Sequence, residues 1–125
     1  MISEQLSFLP DSLPDSHPFP PARERTVWNA LPQRVKDRFL KAGEAALAAA
    51  IAPLPLSLWL DFSHTGRRTA WEDAYFSRRA RLCALVCAEC VEHTGRFLGA
   101  IADTVWAICE ESAWQLPAHN SYIRD

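Results

Sequence analysis

The stretch 70–93 limits the fold most strongly, because apolar residues recur in it at helical spacing on nearly every side. These residues are Phe76, Ala80, Leu82, Cys83, Leu85, Val86, Cys87, Cys90 and Val91. A helix that is apolar all round is predicted to be buried. Gly95 marks its end. A last helix is predicted over about 96–111, with an apolar stripe formed by Phe97, Ile101, Val105 and Ile108.

The rest of the chain predicts shorter helices joined by proline-rich connectors. Residues 22–30 predict a short helix, and Pro32 suits the first turn of the next one. That helix carries a stripe at Val35, Phe39, Ala42, Ala46 and Ala50. The apolar connector 52–66 contains two prolines and a strand-like piece at Leu56–Phe62. The predicted fold class is therefore all-α, with three to four substantial helices and long Pro-rich connectors.

Length and charge narrow the possible functions. A chain of 125 residues forms at most one ordinary domain. Five of its nine prolines fall in residues 1–21, which predicts an extended arm ahead of a helical unit over 22–125.

The balance of 13 basic against 15 acidic residues lacks the electrostatic footprint of a nucleic-acid binder. The uncharged stretch 45–60 is interrupted by two prolines, so we expect no membrane span.

The charges are nevertheless unevenly distributed. Residues 61–81 hold five arginines against three acids, net +2, whereas residues 82–125 hold two arginines against six acids, net −4. Such runs are typical of solvated helix faces and internal ion pairs.

The start of the chain has neither a basic segment nor an apolar core of the signal-peptide kind, which predicts a cytoplasmic protein. The four cysteines lie in apolar helical patterns and are predicted to be buried free thiols.

One cysteine spacing matches that of radical-SAM enzymes. Cys83, Cys87 and Cys90 have the C-x3-C-x2-C pattern that holds three irons of a four-iron cluster. Here the intervening residues favour a helix, on which the three sulfurs would form a stripe about 10 Å long. The three sulfurs would then pack against a neighbouring part of the protein instead of binding one cluster together. The scattered histidines lack zinc-site spacing, and Glu89 with His93 is predicted to be a surface pair. We therefore expect neither a metal nor a cofactor.

The chemically richest segment follows the last helix. Glu110 and Glu111 point about 100° apart on a helix, so they cannot flank one bond and are predicted to form a solvated edge. In "WQLPAHN" (114–120), Trp114 offers a flat apolar face on which a sugar can stack. His119 and Asn120 offer a neutral donor–acceptor pair. These three residues are the candidate substrate-binding residues. The alternative is a polar loop with a packed Trp.

Four motifs in sequence resemble the N-terminal part of heparinase II/III-like proteins. They are "WLDFSHTGRR" (59–68), "YFSRRARL" (75–82), "AECVEHTGRF" (88–97) and "WAICEESAWQLPAHN" (106–120). Arg25 and Trp28 ahead of "LPQRVKDRF" also fit the opening of that domain. The resemblance covers roughly residues 20–125. It implies the leading helices of an (α/α) toroid, which in that family is followed by β-sandwich domains, so it predicts a truncated protein.

The resemblance also implies a function for the intact protein. Lyases of this family cleave uronic-acid polysaccharides by β-elimination, in which an Asn or His neutralises the uronate carboxylate and a Tyr or His removes the C5 proton. Those residues lie in later helices and the second domain, so no catalytic residue is assigned here. The chain is expected to form groove wall for an anionic polysaccharide or oligosaccharide and to be inactive alone. Trp114, His119 and Asn120 would line the groove edge, and Arg67 and Arg68 could meet an anionic chain.

The alternative is a stand-alone all-α module without catalysis. The apolar helix 70–93 and the wide apolar face of the helix 96–111 exceed what three or four helices can cover. Such a chain would use its exposed apolar helix faces for self-association or for binding a partner.

Overall fold

The computed structural model describes residues 19–119, and the chain in that range is helical. Its elements are α1 (Arg25–Asn29), α2 (Gln33–Ala48), α3 (Leu56–Thr65), α4 (Thr69–Glu92), α5 (Leu98–Cys109) and a short 3-10 helix, Pro117–His119. The all-α prediction is confirmed for this range. The predicted arm over 1–21 lies almost wholly outside the described residues. No helix of the described part is both long and apolar enough to cross a bilayer.

The strand-like interpretation of Leu56–Phe62 is wrong, because this piece belongs to helix α3. The residues that flank this piece favour a helix. Pro55 lies directly before the first turn, where a missing N–H leaves no intrahelical bond unmade. Gly66 ends the helix with φ 74°, and its N–H donates to the Phe62 carbonyl at 2.8 Å. Residues 19–119 therefore contain four substantial helices, α2 to α5, which is the higher of the two predicted numbers.

Helices α2 and α4 approach each other closely at Gly43, which is buried. A Cβ atom at this position would overlap the Cβ of Ala88 and lie 3.3 Å from Cε1 of Phe97. Leu85, Ala88 and Phe97 are fully buried and form the core at this point. The residues packed around them are Leu40, Ala46, Ala100 and Ile101. The absence of a side chain at position 43 thus allows the contact on which this core depends.

Helix α4 is not buried all round, contrary to the prediction. Its buried residues are Trp71, Leu85, Ala88 and Glu89, whereas Phe76 and Val86 are 51% and 39% exposed. Helix α4 packs mainly against α2 and α5, with smaller contacts to α1 and α3, and these neighbours do not cover its whole surface. The prediction of buried thiols also fails for Cys83 and Cys109, which are exposed.

Cys87 and Cys90 are half-buried. Burial raises the pKa of the Cys87 thiol, and the neighbouring Cys83 adds to this shift. Burial also raises the pKa of the Cys90 thiol. Both groups are therefore less reactive at neutral pH than ordinary cysteines.

Helix α5 has apolar residues on its outer side as well as its inner side. Phe97 and Thr104 are fully buried, but Val105 is 42% exposed, so the inner stripe passes through Thr104 and not through Val105 as predicted. Thr104 tolerates burial because its hydroxyl donates to the Ala100 carbonyl at 2.6 Å. The outer side carries Leu98, Val105 and Trp106, which are 57%, 42% and 68% exposed.

A buried carboxylate holds the turn between α4 and α5. Glu89 is 7% exposed, and its carboxylate accepts hydrogen bonds from the backbone N–H of Gly95 at 2.7 Å and from that of Phe97 at 3.1 Å. These N–H groups precede the first turn of α5, where a negative charge is favourable. Glu89 therefore does not form the predicted surface pair with His93, which takes a left-handed conformation with φ 58° at the end of α4.

Arginine side chains satisfy the carbonyl ends of two helices. Arg25 donates to the carbonyls of Cys90 and Val91 at 2.6 and 2.8 Å, which attaches α1 to the end of α4. Arg81 donates to the carbonyls of Ala46 and Ala49 at the end of α2. Its Nε also donates to the Thr104 hydroxyl at 3.1 Å. Cations are favourable at these positions, because helix carbonyl ends are negative and lack intrahelical partners.

Candidate functional site

A cavity of about 440 Å³ lies where α3, the first half of α4 and the segment after α5 meet. We call it the tryptophan cavity. Its lining residues are Leu54, Leu56, Trp59, Trp71, Arg78, Ala107, Glu110, Glu111, Ser112 and Ala113. The walls thus come from three distant parts of the sequence, and they combine two aromatic rings with charged groups.

The charged part of the lining is a buried ion cluster. The Glu111 side chain is 1% exposed and lies 3.2 Å from Arg78 and 2.6 Å from Arg79. The hydrogen bond with Glu111 raises the pKa of Arg79 above its ordinary value. The sequence-based interpretation of Glu111 as a solvated residue is therefore wrong. Glu110, its neighbour, is exposed as expected.

Arg78 has further partners inside the protein. Its Nε donates to the Ala52 carbonyl at 2.7 Å, and its Nη1 donates to the Ala107 carbonyl at 2.9 Å. The guanidinium thus joins the connector before α3, the end of α5 and Glu111. A planar group with several fixed donors suits such a junction.

The aromatic part of the lining consists of Trp59 and Trp71. Their rings pack edge to face, with centroids 5.0 Å apart and an interplanar angle of 85°. Trp71 is 5% exposed, and its indole N–H has no hydrogen-bond acceptor among residues 19–119. A buried donor without a partner is rare in folded proteins, because its desolvation is not offset.

The segment that follows the lining carries two of the candidate substrate-binding residues. Trp114 comes directly after the lining residue Ala113 and is 65% exposed. Its backbone carbonyl accepts a hydrogen bond from the Tyr75 hydroxyl at 3.0 Å. The guanidinium of Arg79 in turn lies 3.3 Å from the centre of the Tyr75 ring. The backbone at Trp114 is therefore attached to α4 while its indole remains in solvent.

His119 ends the short 3-10 helix and is exposed. Its carbonyl accepts the Gln115 side-chain amide at 3.2 Å. Trp114 and His119 thus share one short segment outside the cavity lining, and their roles remain predictions. Asn120 lies outside the described residues.

The described residues do not gather metal ligands. Within 19–119, no group of three or more His, Cys, Asp or Glu side chains is arranged to hold an ion. Cys83, Cys87 and Cys90 all lie within α4. Their helical setting is the one in which this spacing forms a stripe and not a cluster site.

The comparisons with known proteins assign no family. No protein-family model matches the chain, and no curated protein matches it.

Proposed function

We propose that these helices form part of the wall of a saccharide-binding groove in a protein of the heparinase II/III-like polysaccharide-lyase kind. In this proposal the chain belongs to an (α/α) toroid and binds an anionic polysaccharide or oligosaccharide, while the β-elimination chemistry comes from elsewhere. The observation that carries the proposal is Trp114, an exposed indole whose backbone is fixed by Tyr75 next to a cavity.

A fixed and exposed indole suits saccharide binding for two reasons. Its flat apolar face can cover the C–H face of a sugar ring, and its N–H can donate to a hydroxyl. Because the Tyr75 hydroxyl already holds the Trp114 carbonyl, less backbone freedom is lost when a ligand binds. His119 on the same segment adds a polar group that can reach the ligand.

The apolar outer side of α5 supports the toroid part of the proposal. Leu98, Val105 and Trp106 expose apolar surface along one side of a helix whose other side is already packed. In a toroid, a further helix would cover this side. The same surface also supports a second candidate function, self-association of a stand-alone module through α5.

Binding of a uronate oligosaccharide tests the first candidate. We expect Trp114→Ala to weaken binding of a hexuronate tetrasaccharide at least about tenfold, which corresponds to about 1.4 kcal/mol. Trp106→Ala is the matched control, because Trp106 is similarly exposed but lies on α5. Isothermal calorimetry would measure both. An unchanged affinity of Trp114→Ala, or an equal loss in the control, would contradict the proposal.

A turnover assay tests whether the chain is inactive alone, and a sedimentation experiment tests the self-association candidate. The proposed groove wall forms no unsaturated uronate, which ultraviolet absorbance would detect, when the 125-residue chain is incubated with a uronan. Self-association predicts a dimer that Trp106→Glu converts to a monomer. A dimer that withstands this change would contradict the self-association candidate.

A further inference from the structure

We propose that the tryptophan cavity binds a small organic carboxylate with an apolar body, and that this carboxylate accepts a hydrogen bond from Nη2 of Arg78. The cavity volume of about 440 Å³ falls in the range of about 300–1,000 Å³ that is typical of small-molecule sites. The lining combines an aromatic and aliphatic wall with one guanidinium. The proposal does not require that the saccharide groove exist, because Trp114 lies outside the cavity lining.

The donor for the ligand is the second terminal nitrogen of Arg78. The Nε and Nη1 atoms of this side chain donate to two backbone carbonyls and to Glu111, whereas Nη2 has no acceptor in the part of the chain that the structure describes. In the same part of the chain, the indole nitrogen of Trp71 is the only side-chain nitrogen or oxygen that is both sealed from solvent and unpartnered. Nη2 therefore keeps contact with solvent, although the Arg78 side chain as a whole is only 11% exposed. Because Arg78 lines the cavity, we infer that a ligand there can reach this nitrogen.

The charge of the ligand follows from the ion cluster, in which two guanidiniums share one carboxylate. Arg79 donates to both oxygens of Glu111, at 2.6 and 3.0 Å, whereas Arg78 reaches one of them at 3.2 Å. The other acceptors of Arg78 are neutral carbonyls. The cluster thus keeps an excess positive charge in a largely buried place. A second carboxylate is favoured there over a neutral acceptor, because hydrogen bonds between charged groups are stronger.

Glu110 is the group in the lining that opposes an anion. Its side chain is exposed, so water and salt screen its charge. Arg78 is much less exposed, and its interaction with a bound carboxylate is screened less. The attraction by Arg78 therefore outweighs the repulsion by Glu110. Removing the charge of Glu110 should strengthen the binding of an anion slightly.

The apolar body of the ligand follows from the remaining lining. Leu54, Leu56 and Trp59 offer hydrocarbon and aromatic surface, and Trp59 packs edge to face on the buried Trp71. Leu56 is 68% exposed, so its coverage by a ligand would remove apolar surface from water. A sugar acid presents hydroxyl groups to this wall, and their desolvation is unfavourable. A hydrocarbon ring that carries a carboxylate therefore matches the cavity better than a uronate does.

Three probes of similar size test the proposal. Phenylacetate has a carboxylate and a hydrocarbon ring, phenylacetamide replaces the carboxylate by a neutral amide, and glucuronate replaces the hydrocarbon ring by a hydroxylated one. We expect phenylacetate to bind at least about fivefold more tightly than phenylacetamide and about tenfold more tightly than glucuronate. Titration of the ¹⁵N-labelled protein followed by NMR would measure the three affinities. The proposal is overturned if phenylacetate does not bind, or if either of the other probes binds as tightly.

A substitution at the proposed donor tests the role of its charge. Arg78→Gln keeps a hydrogen-bond donor but removes the charge, so the preference for phenylacetate over phenylacetamide should fall below about twofold. Arg38→Gln is the matched control, because Arg38 is exposed and lies on α2, and it should keep the preference. A preference that survives Arg78→Gln in a folded protein, or that is lost equally in the control, would contradict the proposed contact.

Two exposed positions in the lining test the site without disturbing the ion cluster, and they decide the question if Arg78→Gln does not fold. Leu56→Ala should weaken phenylacetate binding about twofold, because it removes apolar contact. Glu110→Gln should strengthen it about twofold at low ionic strength. Trp114→Ala, which tests the saccharide groove, should leave it unchanged. An unchanged affinity in Leu56→Ala or in Glu110→Gln would overturn the proposal, and so would a loss in Trp114→Ala, which would place the binding in the groove.

Discussion

The two halves of α4 use the same helix face in different ways. Near its C-terminal end, Leu85 and Ala88 pack against Gly43 and Phe97 in an apolar core; we call this the packed end. Near its N-terminal end, Trp71 and Arg78 face the tryptophan cavity. Trp71, Arg78 and Leu85 follow each other at seven-residue spacing, so they continue one stripe along the helix.

The difference shows how stability and binding can be separated along one element. The packed end has apolar side chains in close contact, and its polar groups cap helices. The cavity end contains a buried ion cluster and an unpartnered donor, neither of which is an efficient source of stability. A region that keeps such groups beside a cavity is typical of a binding site.

The largest expected effect comes from removing Glu111. Glu111→Ala leaves two arginines, one of them 11% exposed, without their carboxylate, and we expect a loss of about 3 kcal/mol in the free energy of unfolding. Urea denaturation would measure it. Glu110→Ala, at the adjacent exposed residue, should change stability by less than about 0.5 kcal/mol. Similar losses for the two variants would show that the ion cluster does not form.

The packed end is tested by adding one carbon atom. Gly43→Ala places a Cβ against the Cβ of Ala88, which cannot rotate away, so α2 and α4 must separate. We expect a loss of about 2 kcal/mol. Gly99→Ala is the matched control, because nothing lies within 4 Å of its added Cβ, and it should gain about 0.5 kcal/mol. A stable Gly43→Ala protein would contradict the close contact.

A somewhat smaller effect is expected at the turn between α4 and α5. Glu89→Gln removes the charge and one of the two acceptors that hold Gly95 and Phe97, which should reduce the free energy of unfolding by about 1.5 kcal/mol. Urea unfolding at pH 7 is again the measurement. A neutral outcome would mean that water serves these N–H groups equally well.

Glu92→Gln is the control for that variant and also tests pH dependence. Hydrogen bonds from Arg96 hold the pKa of the Glu92 carboxyl below its usual range. The contribution of this pair is therefore present above the ordinary glutamate pKa of about 4.3 and is lost as the pH falls through the lower folded value. We expect a smaller destabilisation than for Glu89→Gln at pH 7, with the difference from wild type disappearing in acid. A difference that persists in acid would contradict the ion pair.

The smallest effect concerns the thiols and leaves stability unchanged. Because Cys83 and Cys109 are exposed, iodoacetamide at pH 8 should label them before Cys87 and Cys90. Burial raises the pKa of the Cys87 and Cys90 thiols, so their labelling should accelerate as the pH rises. Peptide mass spectrometry would follow each site. Equal labelling rates at pH 8 would contradict the half-buried positions of Cys87 and Cys90.

Helical periodicity was sufficient to predict α4 and α5, whose observed bounds Thr69–Glu92 and Leu98–Cys109 lie close to the expected ranges. It failed for α3, where a short alternating run fits either structure and the flanking Pro55 and Gly66 decide. Burial of α4 was overestimated because composition does not show how many neighbours cover a helix.

The tryptophan cavity could not be derived from local patterns. Arg78 and Glu111 are 33 residues apart, and only the packing of α5 on α4 brings them together. Two adjacent glutamates after a helix look alike in sequence, yet one is exposed and the other is buried. The role of Glu89 was predicted wrongly for a different reason. Its partners lie close in sequence, but they are the backbone N–H groups of Gly95 and Phe97, which no residue type reveals.

The most direct test of the division between the two ends of α4 compares Trp71→Phe with Leu85→Ala in urea unfolding. At the packed end, Leu85→Ala should reduce the free energy of unfolding by about 3 kcal/mol, because it leaves a void in a fully buried site. At the cavity end, Trp71→Phe should change it by less than about 1 kcal/mol, because losing an unpaired buried donor offsets the lost ring contacts. An equal loss of about 3 kcal/mol in Trp71→Phe would contradict the assignment of the tryptophan cavity to binding.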